Sequence, residues 1–478
     1  MTWVSTNGIA IGDRVPRRLR RQWVEEGHCP DRDLYSLFRE RAATRPDRIA
    51  VIDDDGAVSY AELDREVRAA AGALTTRGLG ARDIIALHLP NGRDAVIAEL
   101  AVYAIGAVAL PLTHPQPDLL ERARVSAVLE SVPQKGTWRG TEVAPEAPAR
   151  IFVSSGSEAA PKMVAYSHNA IAGGRGNYLR AIHRGKPFIR DLVLVSLASA
   201  FGSFGVPVTL CREGATLVVT RKFEARRALS LIAEHRPTHV FGVPAMLRRI
   251  ADLSTVEGVR AFVSSGDALP PDTLSFCRAR FDAEIINVYG SSDGVNCHTT
   301  TPEHGVGRPD PAVCDIRIVD GEIRARGPMT PLSYVAAPEL DAAYRTAGGW
   351  VRTGDEGRFT PDGVLHVTRR IKRVVVRGGY TISPAEVEQH LHGHPAVAAA
   401  ACVPVPDPDL GERLCACVTL RPGRPRPSLG QLTAFLAGAG VAAPKLPERL
   451  LVLSSLPETG SGKVCHRTLT ELAREHCR

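Results

Sequence analysis

The sequence of 478 residues lacks the features of a membrane or secreted protein. It contains no run of eighteen apolar residues, so neither a membrane-spanning helix nor a membrane partner is expected. Its N-terminus lacks the order of a secretory signal, in which a basic start, an apolar block and a small-residue cleavage site follow one another. Both absences predict a cytoplasmic protein.

The ten cysteines lack the spacing of a metal site or of a disulfide framework. No C-x-x-C pair is present, so a zinc site has little support. Cys415 and Cys417 lie in the stretch "RLCACVTL", which is typical of a buried strand. We therefore interpret the cysteines as reduced, small apolar residues.

The charge balance gives little indication of a polyanionic partner. The net charge is +7, from 59 basic and 52 acidic residues. The one dense basic patch comprises Arg14, Arg17, Arg18, Arg20 and Arg21. Because no interleaved aromatic residues or zinc-finger spacing accompany it, we interpret this patch as a solvated arginine-rich face and expect no nucleic-acid partner.

What the sequence does contain is a repeated alternation of strand and helix signals. Residues 33–81 indicate a helix, a hairpin turning near Asp55-Gly56 and a second helix closed by glycine. Four short apolar strands later end in turns of small residues, within "RIFVSSG", "THVFGVP", "VRAFVSSGDALP" and "EIINVYGSSDG". Because ligands bind at the carboxyl ends of parallel strands, we expect these turns to share one site.

After about residue 305 the pattern changes to hairpins, one around Asp320-Gly321 and one at Pro361-Asp362-Gly363. A basic junction follows from Arg369, and then a helix with Ser383 as N-cap and Pro384 at its first position. We predict an α/β fold with a large N-terminal domain, residues 1–369, and a small α/β domain, residues 370–478. The large domain is expected to combine mostly parallel sheets, flanked by helices, with a β-rich subdomain.

Five motifs, in order along the chain, carry a resemblance to a known family. They are "SSGSEAAPK" from Ser154, "VYGSSDG" from Val288, "VRTGDEGRF" from Val351, "RRIKRVVVRGGYTISPAEVE" from Arg369 and "PETGSGKVCHRTL" from Pro457. They resemble motifs of the adenylate-forming superfamily, which comprises acyl-CoA and aryl-CoA ligases, nonribosomal-peptide adenylation domains and luciferases. The resemblance extends from about residue 35 to 470, is nearest to stand-alone aryl-acid-activating members, and implies a mobile C-terminal domain that rotates between two reaction steps.

The resemblance implies a ligase that uses ATP and Mg²⁺ to activate a small carboxylic acid. The carboxylate attacks the α-phosphate, forms an acyl adenylate and releases pyrophosphate. The acyl group then passes to a thiol, of CoA or of a carrier-protein phosphopantetheine arm. Because two anions must meet, the site needs cations and backbone donors.

Three other functions stay open at this point. An amide bond synthetase would pass the acyl adenylate directly to an amine. A non-catalytic protein would only bind the adenylate, and luciferase-like oxidation is a rarer outcome of the same first step.

By resemblance, the loop that begins at Ser154 covers the leaving phosphates of ATP. The residues expected to hold these phosphates are Ser154, Ser155, Gly156, Ser157 and Lys162. The loop does not match the P-loop pattern G-x-x-x-x-G-K-[ST]. Glu158-Ala159 stands where the family usually has Thr-Gly, which adds an acid near the phosphates.

The resemblance assigns the other nucleotide contacts to Tyr289, Gly290, Ser292, Asp293, Asp355 and Arg370. Tyr289 would stack on adenine, and Asp355 would accept hydrogen bonds from both ribose hydroxyls. Asp293 stands where the family has Glu and would hold Mg²⁺, a cation that prefers oxygen ligands. Since Asp is shorter by one methylene, a bridging water could be needed.

Lys463 is the foremost catalytic candidate, and Arg370 is the second. A lysine is charged at neutral pH and could bridge the attacking carboxylate and the α-phosphate. The loop "TGSGK" is not a Walker loop, because Pro457 occupies the place of the first glycine and Val464 follows the lysine. By resemblance, Lys372 is the hinge, and Gly378 and Gly379 line the acceptor tunnel.

The acid pocket is expected in "LASAFGSFGVPV" and "SSGDALP", with the residues Ser199, Ala200, Phe201, Phe204, Gly205, Ser265 and Gly266. By resemblance, salicylate-type enzymes place an Asn near the position of Ala200, where it meets the 2-hydroxyl group of the substrate. Ala200 cannot donate that hydrogen bond, so 2-hydroxybenzoate is disfavoured. These segments suggest a flat, mostly apolar slot for an aromatic or heteroaromatic acid, or for a medium acyl chain. These segments contain no basic residue that would indicate an amino-acid or dicarboxylate substrate.

Overall fold

The computed structural model describes residues 2–113, 117–153, 161–266, 269–371, 375–377, 380–408, 410–459 and 463–477. Within these residues the chain forms a two-stranded hairpin and four larger sheets, of eight, six, four and five strands. No helix in these ranges is both long and apolar enough to cross a membrane.

The first third of the chain forms β1 (Thr2–Val4), β2 (Ala10–Gly12), α1 (Arg17–Glu25), α2 (Leu34–Thr44), β3 (Ile49–Asp53), β4 (Gly56–Ser59), α3 (Tyr60–Thr76), β5 (Ile84–Leu87), α4 (Arg93–Ala104), β6 (Val108–Pro111), α5 (Pro117–Ala123), β7 (Ala127–Leu129) and β8 (Pro148–Val153). The middle forms β9 (Met163–Ser167), α6 (His168–Ala170), α7 (Gly176–His183), β10 (Arg190–Val193), β11 (Thr216–Val219), α8 (Ala225–His235), β12 (His239–Gly242), α9 (Pro244–Leu253), β13 (Ala261–Ser265), α10 (Pro271–Arg280), β14 (Glu284–Gly290) and β15 (Asn296–Thr299).

The last part forms β16 (Asp315–Val319), β17 (Glu322–Arg326), β18 (Ser333–Tyr334), α11 (Pro338–Tyr344), β19 (Val351–Phe359), β20 (Leu365–Arg370), β21 (Val375–Arg377), β22 (Tyr380–Ile382), α12 (Pro384–His392), β23 (Val397–Asp407), β24 (Gly411–Leu420), α13 (Leu429–Gly438), β25 (Arg449–Leu453) and α14 (His466–His476). Two π-helical stretches occur at Ile171–Arg175 and Gly205–Arg212.

The two largest sheets are mostly parallel, as predicted. The eight-stranded sheet has the order β15-β14-β13-β12-β10-β11-β3-β4, and only its outermost strands β15 and β4 run antiparallel to their neighbours. The six-stranded sheet has the order β18-β9-β8-β6-β5-β7. In it β9 runs antiparallel to β8, and β18 runs antiparallel to β9. The largest apolar cluster takes side chains from both sheets and from α2, α3 and α4. Strands such as "IIAL" and "TLVV" are buried along their whole length, which explains why they are continuous apolar runs.

The four strands whose turns are expected to share one site divide between these two sheets. β12, β13 and β14 are neighbours in the eight-stranded sheet, so their carboxyl ends lie side by side. β8, which precedes the predicted phosphate loop, belongs to the six-stranded sheet. Sequence patterns alone could not separate the two groups, because all four are short buried runs.

The β-rich region is the four-stranded antiparallel sheet β16-β17-β19-β20. Its first hairpin turns at Asp320-Gly321, as predicted, and both residues have positive φ, 52° and 79°. Two positive φ values match a tight type I′ turn, which follows the twist of the strands. The second predicted hairpin, between β19 and β20, is also confirmed.

The C-terminal sheet has the order β22-β21-β24-β23, with β25 parallel to β24. The predicted strands β23 and β24 pair along their length, and Cys415 and Cys417 are buried in β24. The helix α12 begins at Pro384 as expected, but the Ser383 hydroxyl makes no capping hydrogen bond. β20 ends at Arg370 and β21 begins at Val375. The domain division at residues 369 and 370 stays a prediction.

The interpretation of the N-terminal arginines as a solvated face is wrong for Arg20. Its side chain is 5% exposed and pairs with Asp13, with Nη2 3.0 Å from Oδ1. Its Nη1 also donates to the carbonyl of Thr330 at 2.8 Å. This contact spans 310 residues of sequence, so no local pattern could indicate it. The other four arginines of the patch are exposed.

Replacing Arg20 should destabilise the fold. Arg20→Met removes the donor to the Thr330 carbonyl and the cation that pairs with Asp13, so we expect the free energy of unfolding to fall by about 3 kcal/mol. Urea unfolding measures this change. Arg17→Met, at an exposed position of the same helix, serves as the matched control and should stay close to the parent protein. Equal stabilities for the two variants would contradict the structural role of Arg20.

Candidate active site

The sequence-predicted site residues divide into those that the structure describes and those that it does not. Outside the described residues lie Ser154, Ser155, Gly156, Ser157, Glu158, Ala159, Lys372, Gly378 and Gly379. Their assignment to the phosphate loop, the hinge and the acceptor tunnel stays a prediction. The described candidates come from three sheets and from the C-terminal segment.

Tyr289 and Asp355, expected at the adenine and the ribose, are hydrogen-bonded to each other. Tyr289 precedes Gly290 at the end of β14, and its hydroxyl donates to Oδ2 of Asp355 in β19 at 2.7 Å. Arg370 in β20 lies opposite Asp355 in the antiparallel register, with its Nε 3.6 Å from Oδ1. Residues from three separate motifs therefore form one cluster.

Burial raises the pKa of the Asp355 carboxyl, because desolvation disfavours its charged form. The Arg370 guanidinium and the Tyr289 hydroxyl oppose this shift, whereas the nearby charge of Asp293 adds to it. Burial also raises the pKa of the Tyr289 phenol, which keeps its proton and so remains a donor. A buried carboxylate of this kind is stabilised further by each new donor, such as either hydroxyl of a vicinal diol.

The turn after β14 holds Asp293 in a fixed, buried position. The Asp293 amide donates to the Ser291 hydroxyl at 3.1 Å, and the Tyr166 hydroxyl donates to the Ser292 carbonyl at 2.8 Å. The Tyr334 hydroxyl donates to Oδ1 of Asp293. Asp293 is 7% exposed. A single carboxylate with a neighbouring hydroxyl fits Mg²⁺, which proteins commonly hold through one or two carboxylates while phosphates and water supply the other ligands.

Two cations lie against the tyrosine that holds Asp293. The Nζ of Lys162, a predicted phosphate ligand, is 5.7 Å from the centre of the Tyr334 ring and 4.0 Å from that of Tyr344. The guanidinium of Arg345 is 5.3 Å from the Tyr334 ring centre. Tyr334, Tyr344 and Arg345 are not among the residues predicted from the sequence, because the stretch that contains them matches none of the five motifs.

Lys463 approaches the predicted acid pocket from the C-terminal segment. A Cβ placed on Gly266, which directly follows β13, would lie 3.4 Å from Cε of Lys463. The Lys463 loop is closed at its base, where the Thr459 amide donates to the Lys463 carbonyl at 2.6 Å. The Ser265 hydroxyl donates to the Val288 carbonyl at 2.9 Å and so ties β13 to β14. The catalytic candidate and two pocket candidates are therefore adjacent.

The other pocket segment, residues 197–208, uses its hydroxyls internally. The Ser199 hydroxyl donates to the Ser196 carbonyl at 2.7 Å, and that of Ser203 to the Ala200 carbonyl at 2.6 Å. Arg175, a cation that sequence analysis missed, donates to the same Ala200 carbonyl at 2.7 Å. These hydrogen bonds from side chains to backbone carbonyls stabilise the conformation of the segment.

Phe204 and Gly205 are both buried, unlike the partly exposed residues of the predicted acid slot. Phe204 is fully buried, with its ring centre 4.4 Å from that of Phe241. A Cβ on Gly205 would meet Leu197 at 2.7 Å. Ser199, Ala200 and Phe201 are partly exposed. The slot was expected to include all five residues, but in the structure Phe204 and Gly205 form the core behind it.

Residues 38–132 and 116–330 match the model of the AMP-binding enzyme family, and residues 386–463 match that of the AMP-binding enzyme C-terminal domain. The chain belongs to the AMP-binding enzyme family. The predicted membership of the adenylate-forming superfamily is confirmed. The chain is accordingly an ATP-dependent, acid-activating, AMP-forming ligase.

Relatives of the AMP-binding enzyme family align with nearly the whole chain. Pyochelin synthase PchD of Pseudomonas aeruginosa is 30% identical, over 96% of each chain. The amide bond synthetase McbA of Marinactinospora thermotolerans is 28% identical, with a TM-score of 0.80 over 92% of this chain and 100% of the other. The o-succinylbenzoate CoA synthetase MenE of Bacillus subtilis, solved with ATP and a magnesium ion, is 25% identical, with a TM-score of 0.79 over 91% and 98%. Use of ATP and Mg²⁺ is thus a property of this AMP-binding family.

Removing the Tyr289 hydroxyl should weaken nucleotide binding. In Tyr289→Phe the Asp355 carboxylate loses a donor, so its position and charge are less well maintained. We expect the affinity for AMP, measured by calorimetry, to fall about tenfold. Tyr35→Phe is a matched control, because the Tyr35 hydroxyl donates to Asp64 at 2.8 Å in a different part of the protein. Unchanged AMP affinity in Tyr289→Phe would contradict a nucleotide role for this pair.

Proposed function

We propose that this enzyme activates an aryl or heteroaryl acid as its adenylate and then transfers the acyl group to the thiol of CoA or of a carrier protein. The observation that carries the proposal is the approach of Lys463 to Gly266. The Cε of Lys463 lies 3.4 Å from the point that a Cβ on Gly266 would occupy. This contact brings a cation from the C-terminal segment to the end of β13, where the acid pocket is expected. The nucleotide candidates lie at the end of β14, the adjacent strand.

The proposed nucleotide site is built around Tyr289 and Asp355. The ring of Tyr289 would support the adenine, while Asp355 accepts from the ribose hydroxyls and Arg370 adds positive charge beside it. Lys162 lies beside Tyr334 and Tyr344 and would meet the leaving phosphates. Asp293 would hold Mg²⁺, which when bound offsets charge on the phosphate oxygens.

Lys463 is proposed as the residue that makes the first step possible. A carboxylate and a polyphosphate repel each other, so the reaction needs a cation between them as charge builds up on the α-phosphate. Lys463 lies next to Gly266, at the wall that faces the expected acid. Its ammonium group would neutralise the approaching anions and hold them in contact.

The character of the acid slot supports an aryl substrate. The hydroxyls of Ser199, Ser203 and Ser265 all donate to backbone carbonyls. One nitrogen of Arg175, Nη2, donates to the Ala200 carbonyl and to the Ser203 hydroxyl. The surface beside the partly exposed Phe201 therefore offers a flat acid an apolar wall, with few groups for a second charge.

A second candidate function is transfer of the acyl group to an amine. The observation that favours it is the likeness to the amide bond synthetase McbA, at 28% identity and a TM-score of 0.80. Both functions share the adenylation step and differ only in the acceptor. Gly378 and Gly379, proposed for the acceptor tunnel, lie outside the described residues.

Exchange of labelled pyrophosphate into ATP, dependent on added acid, is the experiment that tests adenylation. We expect exchange with aryl or heteroaryl acids, and a fall of at least about 100-fold in Lys463→Ala because charge at the α-phosphate is no longer neutralised. Lys445→Ala is the matched control, since Lys445 pairs with Glu386 at 2.8 Å and should leave exchange unchanged. Full exchange in Lys463→Ala, or exchange with fatty acids only, would contradict the proposal. Adding CoA, a carrier protein or amines then identifies the acceptor.

The identity of residue 200 should set the response to a 2-hydroxyl group on the acid. With Ala200, 2-hydroxybenzoate should be activated less efficiently than benzoate, because no side-chain donor meets its hydroxyl. Ala200→Asn supplies that donor, so we expect the ratio of kcat/KM for 2-hydroxybenzoate over benzoate to rise about tenfold. Ala200→Val, which adds volume without a donor, is the control. A similar ratio in both variants would place Ala200 away from that substituent.

A further inference from the structure

We propose that Tyr334 is a positioning residue for Asp293, holding one carboxylate oxygen so that the other is presented to the cation that accompanies ATP. The proposal rests on the proposed function, in which Asp293 is the acid that holds Mg²⁺. Tyr334 lies outside all five motifs and 41 residues beyond Asp293 in sequence. Its role is therefore a property of this fold rather than of a motif.

The hydrogen bond engages a single oxygen of the carboxylate. The Tyr334 hydroxyl donates to Oδ1, and no hydrogen bond to Oδ2 is present in the described part of the chain. Asp293 is 7% exposed, so its side chain has little freedom to rotate away. The arrangement leaves Oδ2 as the oxygen that can bind a hard cation.

The need for such a contact follows from the length of the side chain. Asp is one methylene shorter than the Glu usual at this motif position, so it must be brought forward and held by its surroundings. Two tyrosine hydroxyls do this, since that of Tyr166 binds the carbonyl of Ser292 at 2.8 Å and that of Tyr334 binds the carboxylate. A carboxylate fixed in this way loses less conformational entropy when it binds a cation.

Both tyrosines project from one face of paired strands. Tyr334 in β18 lies opposite Val164 in the antiparallel register with β9, and Tyr166 is two residues further along β9. Alternate residues of a strand share a face, so the two hydroxyls are diagonal neighbours. Through them the edge of the six-stranded sheet holds the turn after β14, which belongs to the eight-stranded sheet.

The charges around Tyr334 favour a strong hydrogen bond to the carboxylate. The side chain of Arg345 is 4% exposed, and its guanidinium nitrogens have no hydrogen-bond acceptor among the described residues. Asp341 Oδ1 is 3.9 Å from its Nε and also accepts from the Tyr334 amide at 3.1 Å. The guanidinium charge therefore acts through space, over the Tyr334 ring, in a region of low dielectric. A cation near a phenol makes its hydroxyl a better donor.

The test compares Tyr334→Phe with the parent enzyme, because Phe keeps the ring and removes the hydroxyl. The direct readout is Mn²⁺ binding in the presence of a non-hydrolysable ATP analogue, followed by electron paramagnetic resonance. We expect the Mn²⁺ affinity to fall about tenfold. In pyrophosphate exchange, the Mg²⁺ concentration for half-maximal rate should rise by a similar factor. Tyr35→Phe, which loses a hydroxyl bonded to Asp64, should change neither readout.

A second variant separates positioning from simple structural support. In the Tyr334→Phe background, Asp293→Glu supplies the missing methylene and should restore part of the Mn²⁺ affinity. Melting temperatures of all variants are measured alongside. The proposal is overturned if Tyr334→Phe binds Mn²⁺ within twofold of the parent, or if its weaker binding is accompanied by a large drop in melting temperature and is not restored by Glu.

The same measurements distinguish failure of the proposed function from failure of this inference. If the parent protein exchanges pyrophosphate with no acid, the proposed function fails, while Mn²⁺ titration still decides the role of Tyr334. If exchange occurs but Asp293→Asn binds Mn²⁺ as the parent does, Asp293 is not the metal acid and the inference is overturned. Loss of Mn²⁺ binding in both Asp293→Asn and Tyr334→Phe supports it.

Discussion

The hydrogen bond from the Tyr289 hydroxyl to Asp355 joins the eight-stranded sheet to the four-stranded sheet, and the candidate site is arranged around this junction. Asp355 is buried, so its carboxylate costs free energy unless donors and cations surround it. Tyr289 and Arg370 meet that need from two different strands. The carboxylate can still accept hydrogen bonds from further donors, such as the two hydroxyls of a ribose. The arrangement that meets the structural demand of burial would therefore also suit the proposed nucleotide site.

A ligase that joins a carboxylate to a polyphosphate must gather positive charge without creating a permanently repulsive cluster. In this protein the candidate cations come from well-separated segments: Lys162 precedes β9, Arg370 ends β20 and Lys463 follows the C-terminal loop. Lys162 lies against aromatic rings, and Arg370 lies beside Asp355, so each charge is partly balanced where it stands. Lys463 belongs to the C-terminal segment, so its presence depends on how that segment docks. The proposed charge from Lys463 is thus tied to a tertiary contact.

Local patterns were sufficient for the fold class and for the family. Alternating strand and helix signals predicted the parallel sheets. Asp320-Gly321 between alternating apolar residues predicted a turn, which the structure confirms with positive φ at both positions. Residues whose partners are distant in sequence were not predictable: Arg20 contacts Thr330 across 310 positions, and Arg175 holds the backbone of Ala200. The burial of Phe204 was missed for a related reason. The segment around it is apolar with interspersed small residues, so its pattern does not indicate which ring faces the core.

The motif at Asp293 shows how a departure from a family pattern is absorbed by the surrounding fold. A one-methylene loss would leave the acid short of its ligand if its turn were held only by its own strand. Here the turn is also bound by hydroxyls from β9 and β18, so its position is set by two sheets rather than one. The position in which the backbone is held can in this way compensate for a shorter acidic side chain. On the proposed role of Tyr334, Asp and Glu at this position would not be interchangeable without regard to residue 334, since the hydroxyl there would favour the shorter acid.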